Sequence, residues 1–180
     1  MNNAGAYEAR DWFETTPATW RLFFETDVLS AVRLVLAVAP DLRHAGWGRI
    51  INVATGMATT PQPVMADYAA AKAAMVNSTV SLAKALAGTG VTVNTVSPGV
   101  IRTEGVERVL REAAQRLGWG DDWQIIQRRW FEDVLSDKTV KRLGRVEEVA
   151  NLVAFIASPL ADYINGASLR IDGGTSPSVN

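Results

Sequence analysis

Two short runs rich in β-branched residues, Arg49–Val53 and Val91–Val96, frame one long helical stretch. That order restricts the fold more than any other feature of the chain. Strands separated by a helix do not form a hairpin; they pair in parallel through a crossover. The helical stretch runs Asp67–Ala87. Ala69, Ala73, Val76, Val80, Ala83 and Ala87 recur at steps of four and three, which predicts a narrow apolar stripe on one face. Gly88 and Gly90 stop the helix, and Pro98-Gly99 breaks the second strand. Neither strand alternates strongly, as suits a sheet covered on both faces.

The rest of the chain extends this pattern. Thr16-Pro17 reads as an N-cap followed by proline in the first turn. A helical pattern then continues to about His44, and Pro40 is expected to kink or end it. Gly46-Trp47-Gly48 is a turn. Residues 104–137 read as two shorter helices around Gly118-Trp119-Gly120, and a further helix over Val146–Ala157 stops before Pro159. Ala167–Ile171 is a last short strand ending at Asp172-Gly173-Gly174. The expected fold class is α/β, part of a doubly wound, Rossmann-like parallel sheet within one domain spanning residues 1–180. Only three complete strands are visible against roughly five to six in a typical sheet, so the sheet is expected to be incomplete.

Composition narrows the function classes. The net charge of −1 gives no basic field to draw nucleic acid or an anionic membrane. The longest strongly apolar stretch, Leu34–Pro40, is far below the roughly 20 residues of a membrane span. No signal peptide is legible. The absence of cysteine removes disulfides, thiolate metal sites and a cysteine nucleophile, and suits a cytoplasmic protein. With one histidine, a zinc site is not expected.

The residues that carry chemistry are Tyr68 and Lys72, in the run Tyr-Ala-Ala-Ala-Lys. Four residues on, a helix brings both side chains to one face, about 6 Å apart. A cation there favours the tyrosinate of a phenol whose reference pKa is about 10. Alone the spacing is weak, because chance supplies it in roughly a third of chains this long; a tyrosine packing its ring beside a snorkelling lysine is the plain alternative. Context strengthens it. Thr55 follows the first strand, thirteen residues before Tyr68, and Pro98-Gly99 ends the next strand, thirty residues after it. Both fall at the C-terminal strand ends, where open α/β sheets bind ligands. The chain also opens with Asn2-Asn3-Ala4-Gly5.

Asn-Asn-Ala-Gly, a hydroxyl residue before Tyr-x-x-x-Lys, Pro-Gly-x-x-x-Thr and a closing Ile-Asp-Gly-Gly occur here in the order and spacing of one family. The chain resembles the short-chain dehydrogenases/reductases over its whole length. The resemblance implies an NAD- or NADP-dependent oxidoreductase that moves a hydride between nicotinamide and a carbonyl or secondary alcohol. Tyr68 would be the proton donor or acceptor. Lys72 would bind the nicotinamide ribose and lower the tyrosine pKa, and Thr55 would hold the substrate oxygen. Asn2, Ala4 and Gly5 would approach the adenosine ribose. Pro98, Gly99, Ile101 through its backbone, and Thr103 would hold the nicotinamide and phosphates. Residues 103–140 would cover a small-molecule substrate. A homo-oligomer, dimer or tetramer, would form by packing the Pro17–His44 and Tyr68 helices against their copies, with small residues Ala70, Ala74, Asn77, Ser78 and Ser81 at the contact.

Three departures qualify the resemblance. The family's serine is Thr55. Its catalytic asparagine is replaced by Asp27, in Phe24-Glu-Thr-Asp-Val-Leu-Ser30, which can pair with Lys72; an exposed helix aspartate is the plain alternative. No Gly-x-x-x-Gly-x-Gly run occurs to receive the pyrophosphate. That loop is expected about 80 residues upstream of Asn2 in this family. Met1 stands where the family usually has valine, so the start is expected to be either mis-assigned or that of a truncated gene. A catalytically inactive remnant, kept as a folded or oligomerisation module, is the alternative function. Elsewhere, His44 reads as a solvated helix-end residue and Asp121-Asp122 as a cap. Trp119, Trp123, Trp130 and Phe131 read as packing or as contacts to an apolar substrate.

Overall fold

The computed structural model describes residues 1–134 and 139–177. The last residues of the expected helical segment, 135–137, lie outside them. Strands β1 (Gly48–Val53), β2 (Val91–Pro98) and β3 (Ser168–Ile171) form a parallel sheet in the order β1-β2-β3. Register places Ile50 beside Val93 and Val96 beside Leu169. On the free side of β1, Asn2 forms one further parallel bridge. Its N–H donates to the Ile51 carbonyl at 2.8 Å and its carbonyl accepts from Val53 N–H at 2.9 Å.

The helix expected to end near His44 is three consecutive pieces. They are α1 (Pro17–Phe23), a π-helical segment (Phe24–Leu29) and α2 (Ser30–Ala45). Thr16 caps α1 as expected, accepting from Thr19 N–H. Pro40 does not end α2, which runs on to Gly46 in the left-handed conformation. Proline removes the N–H that would bond the Leu36 carbonyl. Leu36 is 71% exposed, so water can satisfy that carbonyl instead.

Helix α3 (Ala66–Ala85) packs against one face of the sheet, where Ile50, Val91, Val93, Ala83 and Leu86 form a core. Its buried side differs from the expected stripe. Ala69 and Ala83 are inside, but Val80 is exposed, Ala73 and Val76 are half-buried, and Ala87 lies past the helix end. Lys72, Met75 and Thr79 take the inner positions. The polar groups among them can do so because each finds a partner there.

Helix α6 (Val146–Ala157) covers the opposite face, with Ile51, Val96, Ile156 and Ala161 at its centre. The steps β1 to β2 and β2 to β3 run in the same direction across the sheet, yet α3 and α6 lie on opposite faces. The two crossovers are therefore of opposite hand, and one is an exception to the strong right-handed preference of such connections. The β2–β3 connection also carries α4 (Glu104–Leu117) and α5 (Trp123–Asp133). These pack on each other around Leu110, Ala114, Ile126, Phe131 and Leu143, flanked by Trp119, Trp123 and Trp130. The aromatic residues of this segment thus build a small separate core. Asp122 caps α5, accepting from Gln124 and Ile125 N–H, and His44 is exposed in the last turn of α2. No helix among the described residues is long and apolar enough to cross a membrane.

Candidate active site

The strand ends of β1 and β2, the first two turns of α3 and the π-helical segment meet at one place. β1 delivers Thr55 just beyond its last residue, where the hydroxyl accepts from Met57 N–H at 3.3 Å and caps a short turn. α3 delivers Tyr68, whose phenol stands close enough to the Thr55 hydroxyl for that group to favour its ionised form. One turn further on, Lys72 points inward: its Nζ donates to the Val53 carbonyl at 3.1 Å and lies 5.8 Å from the Tyr68 ring centroid.

Asp27 reaches the same spot from the π-helical segment. It is buried, so the exposed-aspartate alternative does not hold. Its Oδ1 stands 3.5 Å from Lys72 Nζ, with both side chains almost wholly out of solvent. Neither carboxylate oxygen meets a hydrogen-bond donor of good geometry. An extra residue in a helical turn rotates the residues after it, and such π-turns recur at functional sites. Gly5 closes the pair from above. A Cβ there would come within 2.8 Å of Asp27 Oδ1 and 3.1 Å of Lys72 Nζ.

The charges oppose the simplest sequence expectation. In place of a Tyr68 pKa lowered by Lys72, the phenol is pushed up to about 12. Burial is the largest cause, and the Asp27 charge adds to it, against a smaller opposing effect of the neighbouring Thr55 hydroxyl. Burial likewise pushes the Lys72 ammonium down, while Asp27 holds it up. Burial raises the Asp27 carboxyl, and Lys72 opposes that rise.

The other residues singled out in the sequence divide into two groups. Asn3, Val53, Pro98 and Ile101 line a groove of about 440 Å³, closed across from them by Val149 and Val153 of α6. Ala4 and Gly5 are exposed beside it. The Ile101–Gly144 bridge uses the Val100 carbonyl and Arg102 N–H, which turns Ile101's own backbone groups away from that bridge. Gly99 allows a close approach to the end of β3, since a Cβ would fall 2.8 Å from Asp172 Cα. Asn2 and Thr103 have structural partners. Asn2 Nδ2 donates to Asn52 Oδ1 at 2.7 Å, and Thr103 caps α4 by accepting from Val106 N–H at 3.2 Å. These residues suit the nicotinamide end of a dinucleotide: an apolar groove, bare backbone and one ammonium.

Sequence reasoning missed the outer wall of the site. Tyr7 places its ring 6.4 Å from that of Tyr68, and Phe23 meets it edge-on at 6.3 Å. Arg10 Nη1 pairs at 3.4 Å with Asp67, whose side chain is fully buried next to Tyr68 in sequence. Arg10 also accepts Met65 N–H on its carbonyl at 3.0 Å. Met65 has φ +63°, a conformation that strains a residue with a side chain, at the start of α3. No local pattern announces contacts between residues nearly 60 positions apart.

Comparison with known proteins places this geometry. The sequence model of the family described as enoyl-(acyl carrier protein) reductase matches residues 1–176. An uncharacterised oxidoreductase, YvaG, of Bacillus subtilis is 38% identical over 99% of this chain and 67% of its own length. The 3-oxoacyl-[acyl-carrier-protein] reductase FabG of Vibrio cholerae is 36% identical over 97% of this chain and 64% of its own. The crystal structure of L-sorbose reductase from Gluconobacter frateurii, complexed with NADPH and L-sorbose, superposes with a TM-score of 0.90 at 29% identity. It is matched over 99% of this chain and 66% of that one. The chain thus spans about two thirds of the length of the relatives it matches. From its motifs, its sheet and these relatives, the chain belongs to the short-chain dehydrogenase/reductase family.

Proposed function

We propose that the chain forms the proton-transfer and substrate side of an NAD- or NADP-dependent oxidoreductase acting on a carbonyl or secondary alcohol. The observation that carries this reading is the meeting of the Tyr68 phenol, the Thr55 hydroxyl and the buried Lys72 ammonium, 5.8 Å from the Tyr68 ring, at the strand ends. Thr55 holds the substrate oxygen, and Tyr68 gives it a proton in reduction or takes one in oxidation. The bound dinucleotide supplies the hydride. Pro98 and Ile101 line the groove that suits its nicotinamide end, Lys72 reaches the Val53 carbonyl at its edge, Ala4, Gly5, Gly99 and Thr103 closely follow its lining residues in the chain, and Asn2 holds the adjoining backbone in register. The segment over residues 103–140 covers the substrate. A ketose, as in L-sorbose reductase, and a 3-oxoacyl thioester, as in FabG, both present the ketone that this arrangement serves.

Tyr68→Phe removes the phenolic hydroxyl that carries the transferable proton and keeps the ring. In the full-length protein it should lower kcat for ketone reduction by about 10²- to 10⁴-fold, with an unchanged circular dichroism spectrum. Near-normal turnover would remove Tyr68 from the mechanism. The inactive-remnant reading is favoured by one observation, the lack of a glycine-rich pyrophosphate loop in these 180 residues. Isothermal titration with NADH and NADPH separates the two: we expect very weak binding to the 180-residue chain and micromolar binding to the full-length protein.

We propose also that the protein forms homo-oligomers through α2 and α3. Val32 and Leu36 of α2 line a groove between the helices with the small residues Ser78 and Ser81 of α3, and Leu34, Val38 and Val80 are exposed elsewhere on the same two helices. Apolar surface of this extent beside small side chains suits close helix packing. Sedimentation should show a dimer or tetramer, and Leu36→Glu should dissociate it. A monomer at micromolar concentration would contradict the proposal.

A further inference from the structure

The least expected feature of the site is a buried pair of opposite charges behind the phenol. Asp27 and Lys72 are 1% and 4% exposed, and their charged atoms stand 3.5 Å apart. Lys72 otherwise touches only neutral acceptors, the Val53 carbonyl and Met75 Sδ at 3.8 Å. Asp27 makes no hydrogen bond of good geometry; besides Lys72, the Ala6 backbone N–H is the group that favours its charged form. The remaining charged or titratable neighbours of Tyr68 do not replace this pair. Arg10 is engaged by Asp67 and Glu8, and Tyr7, ring to ring with Tyr68 at 6.4 Å, acts in the same direction as Asp27 but less. A lysine alone beside a tyrosine favours the phenolate; a lysine already met by a carboxylate loses most of that influence.

We propose that Asp27 is a positioning residue that holds Lys72 in an ion pair and thereby keeps Tyr68 in its phenol form, as a proton donor to a carbonyl across neutral and alkaline pH. Its functional meaning rests on the oxidoreductase reading above; the hold of the pair on Tyr68 does not. In reduction the Tyr68 O–H proton passes to the carbonyl oxygen, which requires the phenol. Alcohol oxidation requires the phenolate, so its rate should climb only at strongly alkaline pH. The direction of the Tyr68 shift, with Asp27 among its causes, agrees with this geometry. The substitution of a carboxylate for the family's asparagine would then set the working pH of the site.

The test is a pH titration of ¹³Cζ-labelled tyrosine by NMR. The protein has three tyrosines, and Tyr68→Phe assigns the signal. Asp27→Asn should move the Tyr68 midpoint down by about one pH unit or more, roughly tenfold in proton affinity. Asp27→Glu, which keeps the charge, should leave it high. A midpoint unchanged or raised in Asp27→Asn overturns the proposal. The wild-type protein gives an independent reading that does not depend on any variant folding: the Asp27 ¹³Cγ shift at pH 7 should be that of a carboxylate, and a protonated carboxyl there overturns the proposal too. In turnover, Asp27→Asn should move the alkaline fall of ketone reduction to lower pH. A shifted tyrosine midpoint without turnover by the wild type would support the ion pair's role while removing the oxidoreductase reading. Turnover with an unmoved midpoint would do the reverse.

Discussion

The two faces of the sheet are built on different principles. Under α6 the contacts are apolar throughout: Ile51, Val96 and Ile156 are nearly or fully buried, with Leu152, Val153, Leu169 and Ile171 around them. Under α3 the apolar cluster of Ile50, Val93 and Leu86 occupies only the far end. Toward the site it gives way to a buried polar chain. Asn52 Nδ2 donates to Thr79 Oγ1 at 2.8 Å, and Thr79 meets Thr95 at 2.7 Å. Beyond it lie Lys72 and Asp27. Apolar contacts are strong but undirected, whereas hydrogen bonds and ion pairs fix orientation. The face with the chemistry is the one whose groups must point somewhere in particular.

The sharpest way to break this comparison is to injure each face and read both stability and the site. Ile156→Ala, on the apolar face, should cost about 3–4 kcal/mol, a fall in Tm of roughly 6–16 °C, while leaving the Tyr68 titration where it was. A moved titration would mean that the two faces are not separable. Thr79→Val, on the polar face, keeps the shape but leaves Asn52 and Thr95 without their partner. It should cost about 2–3 kcal/mol. Unlike Ile156→Ala, it should speed amide exchange at Val53, whose N–H is bonded to the Asn2 carbonyl. Equal exchange in both variants would erase the distinction.

The smallest effect concerns a polar fastening of α6. Arg142 and, through its backbone, Arg145 hold the Glu148 carboxyl down at about 2, against an ordinary value of 4.5. A depressed carboxyl contributes stability that is complete above its unfolded pKa and is lost as pH falls toward the folded one. Glu148→Gln should therefore lower stability slightly at neutral pH, where the pair contributes in full, and remove the part of the acid fall in stability that this group causes between pH 4.5 and about 2. The group is exposed, so an effect within error would fit a screened pair. A large loss at pH 7 would not.

Much of the fold was legible because its signals are local. β-branched runs at Ile50 and Val93, glycines after the helices and Thr16 before Pro17 each act within a few residues. The helix Val146–Ala157 matches expectation to the residue. The pairing of Tyr68 with Lys72 was legible for the same reason, as helical spacing alone sets it. What was not legible depends on partners far apart in sequence. The inward face of α3 followed Lys72 and Thr79, whose partners at Asp27, Asn52 and Thr95 make their burial affordable. Tyr7 and Arg10 join the site across some 60 residues. Pro40 did not stop its helix; the carbonyl it orphans belongs to Leu36, a residue left exposed, and exposure is a fact that sequence does not carry.

The buried chain from Asn2 to Thr95 also has a direction. Thr79 has one hydroxyl proton, and the Met75 carbonyl lies 2.9 Å away to accept it. Its oxygen must then accept both from Asn52 and from Thr95. With Asn2 donating to Asn52 Oδ1, every proton in the series has an assigned owner, and Asn52 is the only member that must both give and receive through its amide. An aspartate at that position would match it in size and still fail, having nothing to give Thr79. The first residues of the chain are therefore tied to the middle of the sheet by a one-way arrangement of protons, in which shape is necessary and insufficient.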